Sequence, residues 1–338
     1  MTAFTSTQTH SDASPPTLTS MLVVIVNYRT AHLTIECLRS LASEVRALPG
    51  TRAVVVDNNS GDDSADRIAT AIETNAWDEW VSLVRSPKNG GYAFGNNAGI
   101  RPALESAHPP DYFLVLNPDT IVRPGALAAL VEFMESHPDA GIAGSAFEKN
   151  DGKPWHVTFG FPNICSEFDA GLRLGIVSKL LSKWAVLRQM SDEPEQTDWV
   201  PGACFIVRRQ VFESVGLMDD GYFLYYEETD FCLRTRRGGW SCWYVPQSLV
   251  KHIGGQSTGY TYDENDRPKR LPKYRFESRQ RYFVKNHGWW YAAVADRVWL
   301  LGFVLWRCRR VLQGKPDTDP PKLLGDFWQN SVFARSSR

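Results

Sequence analysis

Two short apolar runs on either side of an amphipathic helix constrain the fold of this chain more than any other feature. The first run is Leu22 to Val26 and the second is Ala53 to Val56. Each is continuous rather than alternating, which is typical of strands buried on both faces of a sheet. Between them, apolar residues recur at helical spacing from Leu33 to Leu48, and Pro49-Gly50 ends that helix. The pattern predicts a βαβ unit with a right-handed crossover, and therefore an α/β fold.

A third apolar run, Tyr112 to Leu116, stops at Asn117-Pro118-Asp119. Proline cannot donate a hydrogen bond to a neighbouring strand and restricts the residue before it, so the strand ends here. Asp119 is therefore expected just past the carboxyl end of a strand, where open α/β sheets bind their ligands. A carboxylate there can hold Mg²⁺ or Mn²⁺ against a diphosphate. The same residue types also form ordinary turns, and the tripeptide alone does not separate the two interpretations.

The remaining nucleotide-site candidates lie at the ends of predicted strands. Asn27-Tyr28 follows the first run in place of a Gly-x-Gly-x-x-Gly fingerprint, and the chain has no phosphate-binding Gly-x-x-x-x-Gly-Lys-Ser/Thr motif. Asp57 follows the second run, where it can either accept hydrogen bonds from a base or ribose or cap a turn. A short strand at 81–84 leads to the glycine-rich stretch 88–99. Glycines allow a backbone to approach a ligand closely, and the helix that follows would point its amides at an anion.

Three carboxylates, Glu227, Glu228 and Asp230, fall in the first turn of a helix that Gly238-Gly239 ends. The helix dipole stabilises acidic residues at this position, so capping is an alternative to a catalytic role. Residues 150–198 mix aromatic residues, glycines and basic side chains, and we interpret them as a mobile insertion over the site.

Composition narrows the class of protein. The net charge of −1 over 338 residues gives no indication of a nucleic-acid partner. Six cysteines without a Cys-x-x-Cys pair indicate reduced thiols in a cytoplasmic compartment. Residues 1–20 are rich in Ser and Thr and lack the basic start and apolar stretch of a signal peptide, so we predict a disordered leader.

Residues 289–313 form an apolar segment rich in Trp and Arg. Asp296 and Arg297 interrupt it, so it is too short and too charged for a transmembrane span. Aromatic residues with flanking arginines favour a helix that lies in the membrane interface, which predicts peripheral contact with the inner face of the membrane. A helix packed on the catalytic domain is the alternative.

Taken together, six segments resemble the family 2 glycosyltransferases of the inverting GT-A type, and they are most similar to the rhamnosyltransferase-like branch. In chain order they are Val24–Tyr28, Val56–Ser60, Asn89–Asn97, Leu116–Asp119, Pro201–Ala203 and Phe223–Asp230. Each is weak singly, but six in the family's order form a specific signal. The resemblance implies a GT-A fold over residues 21–258, with a Rossmann-like, mostly parallel sheet and flanking helices. Residues 259–338 would form a C-terminal helical extension that associates with membranes.

The resemblance also implies roles for single residues. Asp57 would contact the nucleoside, with Asn27 and Asn59 nearby. Asp119 corresponds to the last carboxylate of the family's Asp-x-Asp metal motif, and His252 matches a further metal ligand in related galactosyl-transferring enzymes.

The acidic pair Glu227-Glu228 matches the pair that is often Glu-Asp in the family. Glu228 stands at the position of the catalytic base, and Asp230 is an alternative that could share the role. A glutamate at this position is a departure, because its longer arm shifts the carboxylate. Further contacts are expected with the donor from Tyr28, Asn89, Gly91, Asn96 and Asn117, and with the acceptor from Trp199, Gly202 and Ala203.

The implied reaction is a direct displacement at the anomeric carbon of a nucleotide sugar. The resemblance favours dTDP-rhamnose as the donor, from which L-rhamnose would be transferred. The acceptor would be a lipid-linked or polysaccharide glycan of the cell envelope. A base takes the acceptor proton, and Mg²⁺ or Mn²⁺ neutralises the leaving diphosphate. Two other functions stay open on the residues alone. A nucleotidyltransferase would be expected to carry a basic glycine-rich loop after the first strand, and a non-catalytic nucleotide-sugar-binding module would be expected to have lost the acidic pair.

Overall fold

The predicted βαβ unit forms the start of the sheet. The computed structural model describes residues 19–149, 151–254 and 269–335. Strand β1 (Met21–Asn27) is joined by helix α1 (Ala31–Ala47) to strand β2 (Thr51–Asp57), and the two strands are parallel, with Asn27 opposite Asp57. This confirms the prediction from the two apolar runs.

The other strands extend this unit into one mixed sheet. They are β3 (Val81–Arg85), β4 (Tyr112–Leu116), β5 (Thr120–Val122), β6 (Ala140–Glu148), β7 (Pro154–Trp155), β8 (Glu195–Gln196), β9 (Cys204–Arg208) and β10 (Ser241–His252). Within the described residues the order is β3-β2-β1-β4-β9-β6-β10-β5, with β7 beside β6 and β8 beside β10. Strands β3, β2, β1 and β4 are parallel, while β9 runs antiparallel to both β4 and β6.

Helices cover both faces of the sheet. They are α2 (Ser64–Thr74), α3 (Tyr92–Leu104), α4 (Ala126–Ser136), α5 (Ile164–Leu172), α6 (Gly175–Leu180), α7 (Arg209–Val215), α8 (Glu227–Arg237), α9 (Lys273–His287), α10 (Trp289–Leu312), α11 (Leu323–Gln329) and α12 (Val332–Arg335). One core packs α1, α2 and α4 on the sheet, and a second packs α3, α7 and α8 on the other face. Continuous apolar strands buried between two helical layers are the expected arrangement of an α/β fold.

The segment predicted as a mobile insertion has a defined structure, so that interpretation needs correction. Residue 150 lies outside the described residues, but 151–198 contain β7, α5, α6 and β8. Helix α5 packs closely on α10, and glycines make this contact possible. A Cβ at Gly171 would lie 2.4 Å from the carbonyl oxygen of Trp299, and one at Gly302 would lie 2.8 Å from the amide nitrogen of Leu172. Composition alone did not predict the packing of α5 on α10, because the two helices lie more than a hundred residues apart in the chain.

A buried charged cluster ties the C-terminal helices to the rest of the molecule. The Arg279 guanidinium on α9 contacts Glu167 of α5 at 2.7 Å and Asp296 of α10 at 2.5 Å, and all three side chains are almost fully buried. Asp296 also accepts a hydrogen bond from the amide of Val332 at 2.9 Å. Buried charges are tolerated only when they are paired, so the three helices depend on one another. The side of α10 that carries Asp296 therefore packs on protein.

The predicted N-terminal leader begins outside the described part of the chain, which starts at residue 19. Ser20 already belongs to the fold, because its amide and hydroxyl donate to the Asp111 carboxylate at 3.0 and 2.8 Å. The last residue of the predicted leader is therefore part of the fold. No helix among residues 19–149, 151–254 and 269–335 is long and apolar enough to cross a membrane.

Candidate active site

The carboxyl ends of three parallel strands bring Asn27, Asp57 and Asn117 to one edge of the sheet. These residues end or directly follow β1, β2 and β4. Because β9 runs antiparallel to β4, its first residues reach the same edge, where the amide of Asn117 donates to the carbonyl of Ala203 at 2.8 Å. Four of the matching segments therefore meet where open α/β sheets bind ligands.

A hydrogen-bonded cluster fixes the Asp57 carboxylate. The side-chain amide of Asn27 donates to it at 2.7 Å, and the hydroxyl and amide of Ser60 donate at 2.5 and 3.2 Å. The fully buried Asn27 also accepts from the Thr34 hydroxyl at 2.9 Å. Asn27 therefore orients Asp57 rather than offering free groups to a ligand.

Two other predicted donor contacts lie beside this cluster. Asn59 is exposed and has a left-handed backbone (φ 57°), as expected where a strand turns sharply. The Tyr28 ring lies under the guanidinium of Arg29, with 5.2 Å between the guanidinium carbon and the ring centroid.

Asn58 is a site residue that was not singled out from the sequence. Its side-chain amide donates to Asn89 at 3.1 Å and to the carbonyl of Gly91 at 2.9 Å, and so joins the end of β2 to the glycine-rich loop. The side-chain oxygens of Asn58 and Asn96 are buried and have no hydrogen-bond partner within the described residues. Buried unpaired acceptors are costly, so they are candidates to accept hydrogen bonds from a ligand. The sequence signal that could have found Asn58 is its position between two predicted site residues, Asp57 and Asn59.

Gly91 is where the glycine-rich loop meets the acidic segment. The amide of Tyr92 donates to the carbonyl of Phe223 at 2.9 Å, and the Tyr92 hydroxyl donates to the carbonyl of Gly202 at 2.7 Å. A Cβ at Gly91 would lie 2.1 Å from the carbonyl oxygen of Phe223, and its φ is 92°. Both the close contact and the left-handed backbone require glycine.

Gly91→Ala is therefore expected to lower the free energy of unfolding by about 2–4 kcal/mol and to abolish donor binding, because the clash adds to the backbone strain. Gly125→Ala is the matched control, since Gly125 also has a positive φ (82°) but no atom within 4 Å of its added Cβ. The control should lose only about 1 kcal/mol. Urea unfolding and donor calorimetry measure both quantities. Equal losses in the two variants would show that contact with Phe223 is unimportant.

The structure places Asp119 and His252 together. The short strand β5 pairs antiparallel with the end of β10, which sets His252 opposite Thr120. The His252 Nε2 atom lies 3.4 Å from the Asp119 carboxylate, and both side chains are largely buried. Trp155 stacks on the imidazole at 5.0 Å between ring centroids. The residues described contain no group of three or more potential metal-ligating His, Cys, Asp or Glu side chains.

The acidic pair begins helix α8, as the sequence predicts. Tyr225 and Tyr226 before it both have left-handed backbones, with φ 70° and 69°. Such conformations are costly for aromatic residues and cluster at functional sites. Each glutamate has one buried carboxylate oxygen with no partner within the described residues.

Burial raises the pKa of both glutamates. The pKa of Glu228 rises to about 7 through desolvation, although backbone amides oppose the shift. The pKa of Glu227 is raised well above its ordinary value, first by desolvation and then by the charge of Glu228. The backbone amides at the start of α8 do favour the ionised form of Glu228, but burial outweighs them. A pKa near 7 suits a general base at neutral pH.

Asp230 has a different environment from the pair. It is fully buried and accepts hydrogen bonds from Arg234 at 2.9 Å, Lys285 at 2.8 Å, Asn286 at 2.8 Å and the Tyr222 hydroxyl at 3.2 Å. A carboxylate held by four donors has little capacity left to accept a substrate proton. The geometry therefore favours a structural role that fixes α8 to α9, rather than a share in proton transfer.

Two of the three predicted acceptor residues contact the glycine-rich loop and the end of β4. The carbonyls of Gly202 and Ala203 are engaged by Tyr92 and Asn117. The Trp199 indole stacks on Phe159 at 4.3 Å and donates to the carbonyl of Gly160 at 3.0 Å. These contacts give Trp199 a packing role between β9 and the 151–198 segment.

Comparison with known proteins shows the family of this chain. The family model "Glycosyl transferase family 2" matches residues 22–216, and the chain belongs to this family. It is 29% identical over 269 residues to N-acetylglucosaminyl-diphospho-decaprenol L-rhamnosyltransferase of Mycobacterium tuberculosis, covering 75% of this chain and 82% of the relative. It is 26% identical over 239 residues to dTDP-rhamnosyl transferase RfbF of Shigella flexneri, covering 71% of each.

A solved structure shows the same fold. The mannosyltransferase PcManGT of Pyrobaculum calidifontis, in complex with GDP-Man and Mn²⁺, superposes with a TM-score of 0.54 and is 14% identical, covering 95% of this chain and 84% of its own. The fold is accordingly GT-A, as the six segments indicated, and the protein is a nucleotide-sugar-dependent glycosyltransferase.

Proposed function

We propose that this protein transfers L-rhamnose from dTDP-rhamnose, with inversion, to a sugar-diphospho-polyprenol on the inner face of a membrane. The observation that carries the proposal is the Glu228 carboxylate at the start of α8, which has one buried oxygen without a partner within the described residues and whose pKa burial raises to about 7. Two relatives that cover most of this chain are rhamnosyl transferases, and one of them acts on a diphospho-decaprenol acceptor by name. The retained acidic pair argues against a non-catalytic module.

Proton transfer in this reaction is assigned to Glu228. Burial and the charge of Glu228 raise the pKa of Glu227 well above its ordinary value, which disfavours its ionised form. Glu228, with a pKa of about 7, would take the proton of the acceptor hydroxyl as that oxygen attacks the anomeric carbon. Asp57 would accept hydrogen bonds from the nucleoside, and the unpaired oxygens of Asn58 and Asn96 would accept further ones.

Asp119 and His252 fit a divalent cation. A carboxylate oxygen and an imidazole nitrogen 3.4 Å apart offer two donors of suitable type, and the donor diphosphate and water would supply the rest. An imidazole ligand favours Mn²⁺ over Mg²⁺, because Mg²⁺ prefers oxygen. When bound, the ion would neutralise the leaving nucleoside diphosphate.

An exposed apolar face on α10 supports the membrane contact. Trp290, Val294, Leu301, Leu305 and Leu312 recur at helical spacing and stay exposed, with 77% of Trp290 and 56% of Leu301 accessible. The opposite face packs on α5 and α9. Helix α6 exposes Ile176 and Leu180, and it follows directly after the residues that bind Arg309 of α10. Helices of this kind lie in a membrane interface rather than crossing it.

Leu301→Asp combined with Leu305→Asp is expected to move the protein from the pellet to the supernatant in sedimentation with anionic liposomes, because two charges would enter the lipid-facing surface. Deleting residues 289–313 is unsuitable, since it removes the buried Asp296 and Trp299. Thr70→Asp with Thr74→Asp on α2 adds the same charges at the same spacing to another exposed helix. If both double variants sediment like the wild type, α10 does not contact lipid.

The proposed function is tested by incubating the purified protein with a panel of nucleotide sugars, a short-chain N-acetylglucosaminyl-diphospho-polyprenol and Mn²⁺. dTDP-rhamnose should be the donor consumed, and NMR should show an inverted anomeric centre in the product. The same mixture with EDTA serves as the control and should lose activity. Transfer of a different sugar, or retention of configuration, would contradict the proposal.

A further inference from the structure

A large open cavity lies beside Phe223, whose carbonyl accepts a hydrogen bond from the amide of Tyr92 in the glycine-rich loop. It has a volume of about 640 Å³ and lies between α9, the start of α10 and the segment before α8. Its lining includes Phe223, Tyr274, Gln280, Arg281, Trp289 and Val332. Aromatic faces next to polar side chains are the usual lining of a sugar-binding site.

The cavity is close to the catalytic glutamate. Phe223 stands five residues before Glu228, so even a fully extended chain would separate the two by at most about 18 Å. The real separation is shorter, because Tyr225 and Tyr226 turn the backbone. The Ser278 hydroxyl, on the cavity wall, donates to the carbonyl of Leu224 at 2.9 Å and holds this segment against α9.

Its wall carries a net positive charge. Arg281 and Lys285 both bind the one carboxylate of Asp219, at 2.8 and 2.7 Å. The other carboxylate that Lys285 contacts, Asp230, is also paired with Arg234. Glu277, the acidic residue of the lining, pairs with Lys273 at 2.9 Å. About one positive charge is therefore left over, which favours an anionic ligand.

The cavity also adjoins the apolar face of α10. Trp289 lines it and is 39% exposed, and its ring meets that of Trp290, the first residue of the apolar face, at 4.8 Å. A polyprenyl-linked sugar diphosphate would match these surfaces. Its sugar would lie in the cavity, its diphosphate at the positive charge and its polyprenyl chain on the apolar face of α10.

We infer that this cavity binds the sugar-diphosphate head of a polyprenyl-linked acceptor, with Phe223 against the sugar, Arg281 at the diphosphate and Trp289 against the start of the lipid chain. The inference rests on the proposed function, because it names where the acceptor of that reaction binds. The donor also carries a diphosphate, so an experiment must separate the two ligands.

The test measures equilibrium binding by calorimetry in detergent, with the full chain and two acceptors: a short-chain sugar-diphospho-polyprenol and an alkyl glycoside of the same sugar. Trp289→Ala should raise the Kd of both acceptors about 10-fold, and Arg281→Gln should raise only that of the diphosphate acceptor, also about 10-fold. Trp184→Ala is the matched control, because Trp184 is similarly exposed (44%) and lies outside the cavity. The Kd of the donor with Mn²⁺ should not change in any variant.

Unchanged acceptor affinity in both Trp289→Ala and Arg281→Gln, with unchanged Tm, would overturn the inference. So would a loss of donor affinity in Arg281→Gln, since the cavity would then belong to the donor. Acceptor binding is read without turnover, so a wild-type protein that binds the acceptor as described but transfers no sugar would overturn the proposed function and leave the cavity assignment standing.

Discussion

Glu228→Gln is expected to lower kcat by about 10²–10⁴-fold and to leave donor affinity unchanged. Glutamine keeps the shape of the side chain and removes its ability to take a proton. Glu227 is a poor substitute, because burial raises its pKa well above the ordinary value and disfavours its ionised form. The two side chains also point about 100° apart around α8, so they reach different places.

The pH dependence of kcat/KM gives an independent check. A base works only when ionised, so the rate should rise as pH increases through about 7, the pKa of Glu228, and level off above it. This rise of kcat/KM with pH should be missing from the Glu228→Gln variant. Glu213→Gln, an equivalent change in an exposed residue of α7, is the control and should keep both rate and profile. Full turnover in Glu228→Gln, together with an inactive but folded Asp230→Asn, would make Asp230 the base.

Asp119→Asn is expected to weaken donor binding in the presence of Mn²⁺ by about 100-fold. Mutation of a residue that only supports a metal ligand costs about 10- to 100-fold in metal affinity. Asp119 would bind the ion directly, so a loss at the upper end of this range is expected. The fold should persist, because the backbone hydrogen bond from the amide of Ile253 to the carbonyl of Asp119 does not involve the side chain. Calorimetry with and without Mn²⁺ measures the effect.

Asp57→Asn separates metal loss from nucleoside loss. This variant should weaken donor binding equally with Mn²⁺ and with EDTA, because Asp57 is assigned to the nucleoside. Asp119→Asn should differ from the wild type only when the metal is present. An Asp119→Asn variant that loses the same affinity in EDTA would exclude Asp119 as a metal ligand.

Local sequence patterns predicted the features that depend on neighbouring residues. The apolar runs around α1 predicted β1 and β2, and Pro118 predicted the end of β4. Polar residues at strand ends therefore located Asp57 and Asp119 at one edge of the sheet. The acidic residues before Gly238 predicted the first turn of α8.

Features that depend on distant pairing were not predictable in this way. Strand β9 lies antiparallel between β4 and β6, and β5 pairs with the end of β10, which alone brings His252 to Asp119. The partners of Asp230 on α9 lie more than fifty residues away. The pKa of Glu228 depends on burial by the whole fold, and no local pattern reports burial of that kind.

The buried Arg279 cluster has a consequence for how the molecule unfolds. Separating α9 from α5 and α10 would leave Arg279, Glu167 and Asp296 as uncompensated charges in a low-dielectric interior, at a cost of about 3–5 kcal/mol for one broken pair. Partial opening of the C-terminal helices is therefore suppressed, and amide protons of α5, α9 and α10 should exchange with solvent only in the same global event. Because Lys285 and Asn286 of α9 bind Asp230 of α8, the helix that carries Glu228 belongs to the same cooperative unit.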